Sequence, residues 1–487
     1  MSRARCRRAA GTRLALADIG WQLSRPSGAR AAARAGWGDG KSATVVARPI
    51  LPRADRSCLH VGSRSAARAR DLARRYEAVR RHTLTLAEPL SAEDQAAQSM
   101  PDASPAKWHQ AHTSWFFEAL LLRPHLPGYQ PLDDSYHYLF NSYYEGLGPR
   151  HPRPQRGLLT RPSLDQVRAY RQHVDLHIHQ LIARCDDTRW AAIAPTLELG
   201  LHHEQQHQEL LLTDALHLLS CHPWRPALLD SPPSPATTGV SAWLRHEGGL
   251  VEIGHDARAP GAGFAFDNEG PRHRVWLEPF EIASRLVTCG EFQRFIDDGG
   301  YREPRWWLSD GWATVQAQAW RAPLYWVDAS DGNGDGGLGA RASGAASRWA
   351  VFGLHGLRPL DPAAPVMQLS FYEAAAYAEW AGARLPSEQE WEAASALPGI
   401  AQLHDQAWQW TRSAYHPYPG FQPLEGAASE YNGKFMVGQL VLRGGSVATP
   451  PGHTRPTYRN FFPPAARWQF TGLRLARDAR PRAETHA

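Results

Sequence analysis

Apolar residues in the first half of the chain recur every three or four positions, which is the spacing of amphipathic helices. Because the connections between these stretches are long, the pattern predicts a bundle of four helices over residues 71–222. The individual helices are predicted at residues 71–90, from residue 104 onward, at 163–184 and at 196–220.

Polar residues and prolines mark where two of these helices begin. Ser104 and Pro105 are typical of an N-cap followed by a proline in the first turn. Ser163 and Gln166 have the spacing of a capping box. Residues 123–162 are dense in Pro, Gly and Tyr, and a connection of this length is typical of a functional loop.

The character of the sequence changes after residue 222. Residues 223–238 are rich in proline and are interpreted as an extended linker. The short apolar runs that follow are separated by Gly, Pro, Asp and Asn, which predicts a loop-rich α+β domain at 239–480 and a tail at 481–487. Within this domain the sequence predicts strands at 250–253 and 274–277, helices at 288–297 and 370–381, and irregular structure at 328–347.

The composition is that of a globular protein with more than one domain. The chain has 487 residues, of which 43% are hydrophobic and 21% charged. No apolar run approaches the roughly 20 residues of a membrane helix, so we expect no membrane association. Five scattered cysteines indicate a reducing compartment, and we expect a cytoplasmic monomer.

The net charge of +5 is unevenly distributed. Residues 1–70 contain 15 Lys and Arg against 3 acidic residues, whereas the remainder contains 38 against 45. We interpret 1–70 as a disordered basic extension or an over-long start assignment. A transit peptide or a twin-arginine signal at Arg7 and Arg8 fits less well, because no apolar segment or small-residue cleavage site follows. The acidic body gives no reason to expect a nucleic-acid partner.

Thirteen of the 23 histidines lie between residues 109 and 222. His203 and His207 are four residues apart on a predicted helix, so both imidazoles share one face and can hold one metal ion. His112 is the natural third ligand, and His109, one turn earlier, is the competing choice. Three neutral imidazoles suit zinc, iron or copper, and a six-coordinate ion would keep three open positions.

Two other interpretations of this motif are possible. His-Glu-x-x-His is also the motif of zinc proteases, but the metzincin extension requires Gly and His where this chain has Leu210 and Thr213. No glutamate between Glu209 and Glu247 offers a downstream ligand. Histidines that bind no metal are the remaining alternative, and the density of histidines disfavours it.

Several segments resemble the ergothioneine-biosynthesis sulfoxide synthases. The resemblance extends in order over about residues 71–480. In that family a DinB-like four-helix domain is fused to a domain of the sulfatase-modifying-factor, or formylglycine-generating, fold, which is C-type-lectin-like. The matching segments are SPAKWHQAHTSWFFE at 104–118, LFNSYYE at 139–145, HEQQHQEL at 203–210, GARLPSEQEW at 382–391, YNGKFM at 431–436, LRGGS at 442–446 and RNFFPP at 459–464.

The resemblance implies the activity of a non-haem iron(II) oxidoreductase. Such an enzyme uses O2 to join hercynine to cysteine or γ-glutamylcysteine, and the product is a sulfoxide. The implied iron ligands are His112, His203 and His207. The implied proton donors are Tyr143 and Tyr144, since a tyrosine is a weak acid.

The resemblance also suggests substrate-binding residues. Gln206 matches the contact to the trimethylammonium end of hercynine, which would lie among polar oxygens and aromatic faces. The mycobacterial-type branch has Trp-Asp where this chain has Phe461-Phe462, so that branch's contacts to γ-glutamylcysteine do not carry over. Arginines can clamp the carboxylates of the thiol. The candidates for substrate binding are Gln206, Arg150, Arg153, Arg156, Arg443, Arg459, Asn460, Phe461 and Phe462.

Three alternative functions were weighed. A selenoneine-type synthase would use a selenium donor in the same architecture. A formylglycine-generating enzyme needs cysteines late in the chain, and the last one here is Cys289. A non-catalytic ligand-binding protein shares the fold, but the three histidines argue against it. We further expect the site to be shared between the two domains, with the second folding over the metal.

Overall fold

The computed structural model describes residues 63–231, 239–328 and 348–479. Several expectations therefore fall outside the described residues. These are most of the proposed basic extension, residues 232–238 of the linker, residues 329–347 of the predicted irregular stretch, and the tail at 481–487.

Four long helices form the amino-terminal region, as predicted. Helix α1 packs against α4, and α2 contacts both α3 and α4, so α2 lies inside the bundle with every one of its residues buried. A π-helical turn, Glu118–Leu122, continues α2. The helices are α1 (Ser63–Ala87), α2 (Ala106–Phe117), α3 (Leu164–Arg184) and α4 (Asp187–Cys221).

Two helix starts differ from the prediction. Helix α1 begins at Ser63, so the boundary predicted at residue 70 falls inside a helix and is wrong. Helix α4 begins at Asp187, where the Asp186 side chain accepts a hydrogen bond from the Arg189 N–H. It continues through Pro195, because burial on both sides outweighs the one backbone hydrogen bond that proline cannot donate.

The capping predictions had opposite outcomes. Ser163 and Gln166 form the predicted capping box at the start of α3. Ser104 does not cap α2, since Pro105 occupies the N-cap position. Instead the Ser104 N–H donates to Asp214 (2.8 Å) and its hydroxyl accepts from Arg156 (2.9 Å). The prediction of a serine cap was therefore wrong, and Ser104 joins the site region.

The carboxy-terminal region contains short strands in several small sheets. The predicted strands at 250–253 and 274–277 form an antiparallel pair. The sheet orders are β1-β4-β12, β2-β3, β5-β6-β7 and β10-β9-β8-β11. The strands are β1 (Trp243–His246), β2 (Gly249–Ile253), β3 (His273–Leu277), β4 (Phe280–Ala283), β5 (Trp326–Asp328), β6 (Trp349–Gly353), β7 (Gly356–Pro359), β8 (Trp408–Ala414), β9 (Leu440–Arg443), β10 (Asn460–Phe462), β11 (Thr471–Gly472) and β12 (Ala476–Asp478).

Four helices accompany these strands. Three of them begin with a capping box, formed by Thr288 with Glu291, by Ser370 with Glu373, and by Ser387 with Glu390. The sequence predicted the first and third of the four helices, and it missed the second and fourth. The four are α5 (Cys289–Asp297), α6 (Ser309–Gln318), α7 (Phe371–Trp380) and α8 (Glu388–Ala394).

The two regions share a hydrophobic core. One cluster of buried residues includes Trp115 and Tyr144 from the helical region and Phe266 and Tyr431 from the mixed region. Glu209 of α4 adds a polar link, since it accepts hydrogen bonds from Trp408, Ser446 and Thr449. Among the described residues, no helix combines the length and apolarity needed to cross a membrane.

Candidate functional site

Three histidines of the bundle meet at one point. His112 of α2 and His203 and His207 of α4 each offer a nitrogen, and these nitrogens lie within 4.8 Å of one another. The side chains are buried, with 0%, 2% and 8% of their surface exposed. Because His203 and His207 are four residues apart on α4, they project on the face that packs against α2.

Hydrogen bonds orient two of the three rings. The Nδ1 of His112 lies 2.6 Å from the Phe140 carbonyl oxygen and donates to it, so its Nε2, which is buried without a partner, is free to bind a metal. The Nδ1 of His207 lies 2.9 Å from the Nδ1 of His109, which leaves its Nε2 as the available nitrogen. Both ring nitrogens of His203 are buried and have no hydrogen-bond partner within residues 63–231, 239–328 and 348–479.

Burial keeps these imidazoles neutral. Desolvation lowers the pKa of His203 to about 3, and it lowers the pKa values of His112 and His207 well below their ordinary value. Neighbouring histidines lower the last two further. A neutral imidazole is the form that binds a metal, so the group has the protonation state of a ligand set at neutral pH.

His109, the competing third ligand, lies outside the set. Its Nδ1 contacts His207 and its Nε2 contacts Asp214 at 3.0 Å, so both of its nitrogens are engaged. The structure therefore favours His112 over His109 at the third position.

Glu204 is turned away from the three histidines. Its carboxylate accepts hydrogen bonds from Arg80 (3.0 Å), Arg171 (2.8 Å) and Thr83 (2.6 Å), and it is fully buried. Burial opposes its charge, but Arg80 and Arg171 outweigh this and lower the pKa of Glu204 to about 2. A carboxylate held this way cannot serve as the general base of a zinc protease, which removes that alternative.

A cavity of about 430 Å³ opens beside the histidines. Its walls come from both regions of the chain. The helical region supplies His203, His207, Trp108, Tyr143 and the arginines at 150, 153 and 156. The mixed region supplies Phe266, Tyr431, Tyr458 and the segment 459–462. The expectation of a site shared between the two domains agrees with this arrangement.

One arginine at the cavity lacks a carboxylate partner. Arg156 is 3% exposed and stacks over Trp108, with its guanidinium carbon 3.4 Å from the ring centroid. It donates to the hydroxyls of Ser104 (2.9 Å) and Ser142 (3.2 Å). Burial, together with Arg153 and Arg150, lowers the pKa of Arg156 to about 8, and the nearby carboxylate of Asp214 offsets only part of this effect.

Two further arginines line the same side. Arg150 pairs with Glu145 (2.7 Å) and is partly exposed. Arg153 donates to the backbone carbonyl of Asp102. Together with Arg156 they place three cations on one wall of the cavity.

Arg443 and Arg459 were expected to bind substrate, and the structure gives them another role. Arg443 is fully buried and pairs with Glu392 and Glu388, and it is absent from the cavity lining. Arg459 borders the cavity, but its guanidinium is taken up by Glu388 (2.8 and 3.0 Å) and by two backbone carbonyls. Because glutamates of the chain already pair with both guanidinium groups, we correct the assignment to structural ion pairs.

The remaining substrate candidates lie together. Gln206 donates to the Tyr458 hydroxyl (2.7 Å) and accepts a hydrogen bond from the Tyr431 hydroxyl, so its amide orientation is fixed. Phe461 stacks on Tyr415 with the ring centroids 4.1 Å apart. Asn460, Phe461 and Phe462 of β10 line the cavity with Gln206.

The two candidate tyrosines occupy different positions. Their rings stack with centroids 4.6 Å apart, but only Tyr143 is among the residues that line the cavity. Tyr144 is fully buried against Trp115. Burial raises the pKa of Tyr143 above its ordinary value and that of Tyr144 further, so both hydroxyls stay protonated at neutral pH.

The sequence reasoning missed several residues of this site. Asp214 follows His207 by seven residues, two helical turns, and this spacing could have placed it on the same face. Tyr431 begins the segment YNGKFM at 431–436, which carries part of the family resemblance, but the resemblance implied no role for this tyrosine. Glu209 and Tyr458 carried no local signal for the contacts that place them here, because Ser446 and Thr449 follow Glu209 by 237 and 240 residues and Gln206 precedes Tyr458 by 252.

Comparisons with known proteins agree with this architecture. Residues 75–211 match the model of the DinB superfamily, and residues 231–402 and 395–479 match the sulfatase-modifying factor enzyme 1-like domain. Relatives share the whole arrangement. The hercynine oxygenase of Mycolicibacterium thermoresistibile is 32% identical over 463 residues, covering 84% of the chain and 95% of the relative.

Two further relatives extend the comparison. The hercynine oxygenase of Mycobacterium tuberculosis is 31% identical, covering 78% of the chain and 92% of the relative. The ergothioneine biosynthesis protein 1 of Schizosaccharomyces pombe is 26% identical over 248 residues, covering 44% of the chain and 28% of that protein. From the similarity over nearly the full length of the first two relatives, the chain belongs to the hercynine oxygenase family.

Proposed function

We propose that this protein uses iron(II) and O2 to form a C–S bond between hercynine and a cysteine-type thiol, giving a sulfoxide in ergothioneine biosynthesis. The observation that carries the proposal is a group of three neutral, buried histidines at a cavity that also holds Arg156, a buried arginine that forms no ion pair among the described residues. The relatives are named for hercynine oxygenation, and the cavity groups suit the two substrates.

The histidine group fits a metal ion by its own chemistry. Unpartnered nitrogens on His112 and His203 would carry a desolvation cost if nothing bound them, and a metal removes that cost. Three imidazoles suit zinc, iron or copper, and we propose iron(II) because the relatives are named as oxygenases and iron(II) can supply redox chemistry with O2. When bound there, iron(II) would supply the redox chemistry that couples a thiol to an imidazole carbon with O2 as the oxidant.

The arginine wall is proposed to bind the carboxylate of the thiol. Arg156 is a buried cation whose partners in the chain are two hydroxyls and an aromatic ring, none of which is charged. A carboxylate that enters the cavity would supply the missing charge through charge-assisted hydrogen bonds. Arg150 and Arg153 add positive potential beside it, and this suits a donor with one carboxylate, as in cysteine, or two, as in γ-glutamylcysteine.

The opposite wall is proposed to hold the betaine end of hercynine. A trimethylammonium group has no N–H to donate, so oxygen atoms and aromatic faces must stabilise it. Gln206, Asn460 and Phe461 offer such groups among the residues that line the cavity. The hydrogen bonds from Tyr431 and to Tyr458 hold Gln206 in position before any ligand arrives.

Tyr143 is proposed as the proton donor. It lines the cavity, and burial keeps its hydroxyl protonated at neutral pH. Tyr144 stacks behind it and is proposed to hold the Tyr143 ring in place. A matched pair of substitutions separates the two roles. Tyr143→Phe should slow sulfoxide formation about 100-fold or divert O2 to simple thiol oxidation, and Tyr144→Phe should have a smaller effect.

The proposal is tested with the purified full-length protein. Loaded with iron(II), it should consume O2 and hercynine in step when cysteine or γ-glutamylcysteine is present, with the product identified by mass spectrometry. A selenium donor in a parallel assay separates the selenoneine-type alternative. His203→Ala should lose bound iron and activity together, while Glu198→Gln, on the same helix but outside the cavity, should retain iron.

Two results would overturn the proposal. One is a protein that binds iron but never consumes hercynine with any of these donors. The other is full iron content in His203→Ala, because the three-histidine assignment would then be wrong.

A further inference from the structure

The three histidines differ in what lies behind each ring. His112 is backed by a backbone carbonyl, and the ring nitrogens of His203 have no partner. His207 is backed by a second imidazole, His109, and then by the carboxylate of Asp214. The distance between the Nδ1 atoms of His207 and His109 is 2.9 Å, and that between the Nε2 of His109 and Asp214 is 3.0 Å. All three residues are buried, and Asp214 is 6% exposed.

The direction of the two hydrogen bonds that join His207, His109 and Asp214 follows from which atoms can donate and which can accept. Asp214 also accepts the backbone N–H of Ser104 (2.8 Å), so its carboxylate acts as an acceptor. His109 then carries a proton on Nε2 and donates it to Asp214, and in the neutral imidazole its Nδ1 is the acceptor. The Nδ1 of His207 therefore donates to His109, and its Nε2 lone pair is left for a metal.

We infer that His109 and Asp214 are positioning residues for the metal, and that they fix the tautomer and orientation of His207 and raise its strength as a ligand. The inference rests on the proposed metal site and deepens it. A carboxylate behind a ligating imidazole raises the basicity of that imidazole, and removing such partners typically weakens metal binding about 10- to 100-fold. Here the carboxylate acts through a second histidine.

The arrangement also explains why His109 is not a ligand, although it lies one turn from His112 on α2. Both of its nitrogens are committed, one as an acceptor and one as a donor. Its ring lies 5.2 Å from that of His207 and is tilted by 54°, so the two imidazoles meet at their nitrogen edges.

The test measures metal affinity in the full-length protein. Co(II) is titrated against a chelator of known affinity, and its visible absorption reports the ligand environment. We expect His109→Phe and Asp214→Ala each to weaken Co(II) binding about 10- to 100-fold and to shift the absorption band. The double variant should be no weaker than the weaker single variant, because both residues act through His207.

Two comparison variants make the result specific. Asp214→Asn keeps an acceptor oxygen and should recover part of the affinity lost in Asp214→Ala. Glu198→Gln alters another carboxylate of α4, whose partners Arg68 and Arg75 lie on α1 away from the cavity, and it should change Co(II) affinity less than twofold. If Asp214→Ala does not fold by circular dichroism, His109→Phe and Asp214→Asn carry the test.

The Co(II) affinities of these variants decide whether His109 and Asp214 support the metal site. Wild-type affinity in His109→Phe would overturn it, and so would losses that add fully in the double variant. If the wild-type protein bound no Co(II) or iron(II), the proposed metal site itself would fail. That outcome is distinct from a site that binds metal without help from His109.

Discussion

Two sets of buried arginines in this chain differ in the source of their counter-charge. Arg443 and Arg459, the paired arginines, lie in the mixed region and contact the carboxylates of Glu388 and Glu392. Arg156 lies in the loop of the helical region, and its hydrogen-bond partners are hydroxyls. Both sets are almost fully removed from water, so the cost of burying the charge is similar.

The pKa values express this difference. Glu392 and Glu388 outweigh burial and raise the pKa of Arg443 above its ordinary value. Burial and two neighbouring arginines lower the pKa of Arg156. A charge compensated within the chain stabilises the fold, whereas an uncompensated charge beside a cavity destabilises the free protein and gains a partner when an anionic ligand binds. Residue type alone does not distinguish the two, but the partners do.

The largest loss of stability is expected at Glu204, where one buried carboxylate pairs with two arginines. Glu204→Gln leaves Arg171 and part of Arg80 unpaired in the core, and we expect the free energy of unfolding to fall by about 3–5 kcal/mol at neutral pH. Denaturant unfolding of the metal-free protein measures this. A loss below about 1 kcal/mol would contradict the account of the network.

The contribution of Glu204 to the stability of the fold should depend on pH. The pKa of Glu204 is lowered in the fold from 4.5 to about 2, so its stabilisation is complete above pH 4.5 and is lost as the pH falls toward 2. The difference in stability between wild type and Glu204→Gln should therefore shrink over that interval. A difference that stayed constant with pH would show that the carboxylate charge is not involved.

Arg443→Met should also destabilise the fold, by an amount near the lower end of the same range. Glu388 retains Arg459 in this variant, so only the charge of Glu392 is left without its main partner. The pKa of Arg443 is raised, so its contribution is present throughout the neutral range. The KM for the thiol should be unchanged, and a large increase in KM would restore Arg443 as a substrate-binding residue.

The sequence predicted the elements whose signals are local. The capping box at Ser163 and the strands at 250–253 and 274–277 depend on neighbouring residues, and all three are confirmed, whereas the pairing of the two strands was not predicted. The start of α4 was missed because Pro195 is usually a boundary signal, and only tertiary burial shows that the helix continues. Ser104 was assigned as a cap because its main partners, Asp214 and Arg156, are distant in sequence.

In the candidate site, too, the residues with a local sequence signal were predicted and the roles that depend on distant contacts were not. His203 and His207 follow from helical spacing, and the structure brings them together with His112. The roles of the arginines did not follow, because the sequence contains no local sign that Arg443 is paired with Glu392 and that Arg156 lacks such a partner. Charge compensation depends on contacts across the fold, and the structure is needed to find them.

Arg156→Met should have the opposite profile to Arg443→Met. It removes a buried cation that the chain does not compensate, so the stability of the free protein should stay within about 1 kcal/mol of wild type or increase. The KM for the thiol should rise about 10- to 100-fold, since a charge-assisted hydrogen bond contributes about 1.5–3 kcal/mol. Steady-state kinetics with varied thiol and fixed hercynine, beside a denaturant titration, measure both quantities. Strong destabilisation with unchanged KM would place Arg156 among the structural arginines.

Arg150→Gln should have the smallest effect of these variants on the KM for the thiol, because Arg150 is neither buried nor without a carboxylate partner. Arg150 lines the same wall as Arg156, but it is 38% exposed at its side chain and already pairs with Glu145. Solvent screens a charge in this position, and exposed ion pairs contribute about 0–1 kcal/mol. We therefore expect the KM for the thiol to rise less than about fivefold, with a larger effect at low ionic strength because screening is weaker there. The measurement is the ratio of KM values for variant and wild type at two salt concentrations. If Arg150→Gln raised KM as much as Arg156→Met, and equally at both salt concentrations, proximity to the thiol rather than burial without a partner would decide which arginine binds it.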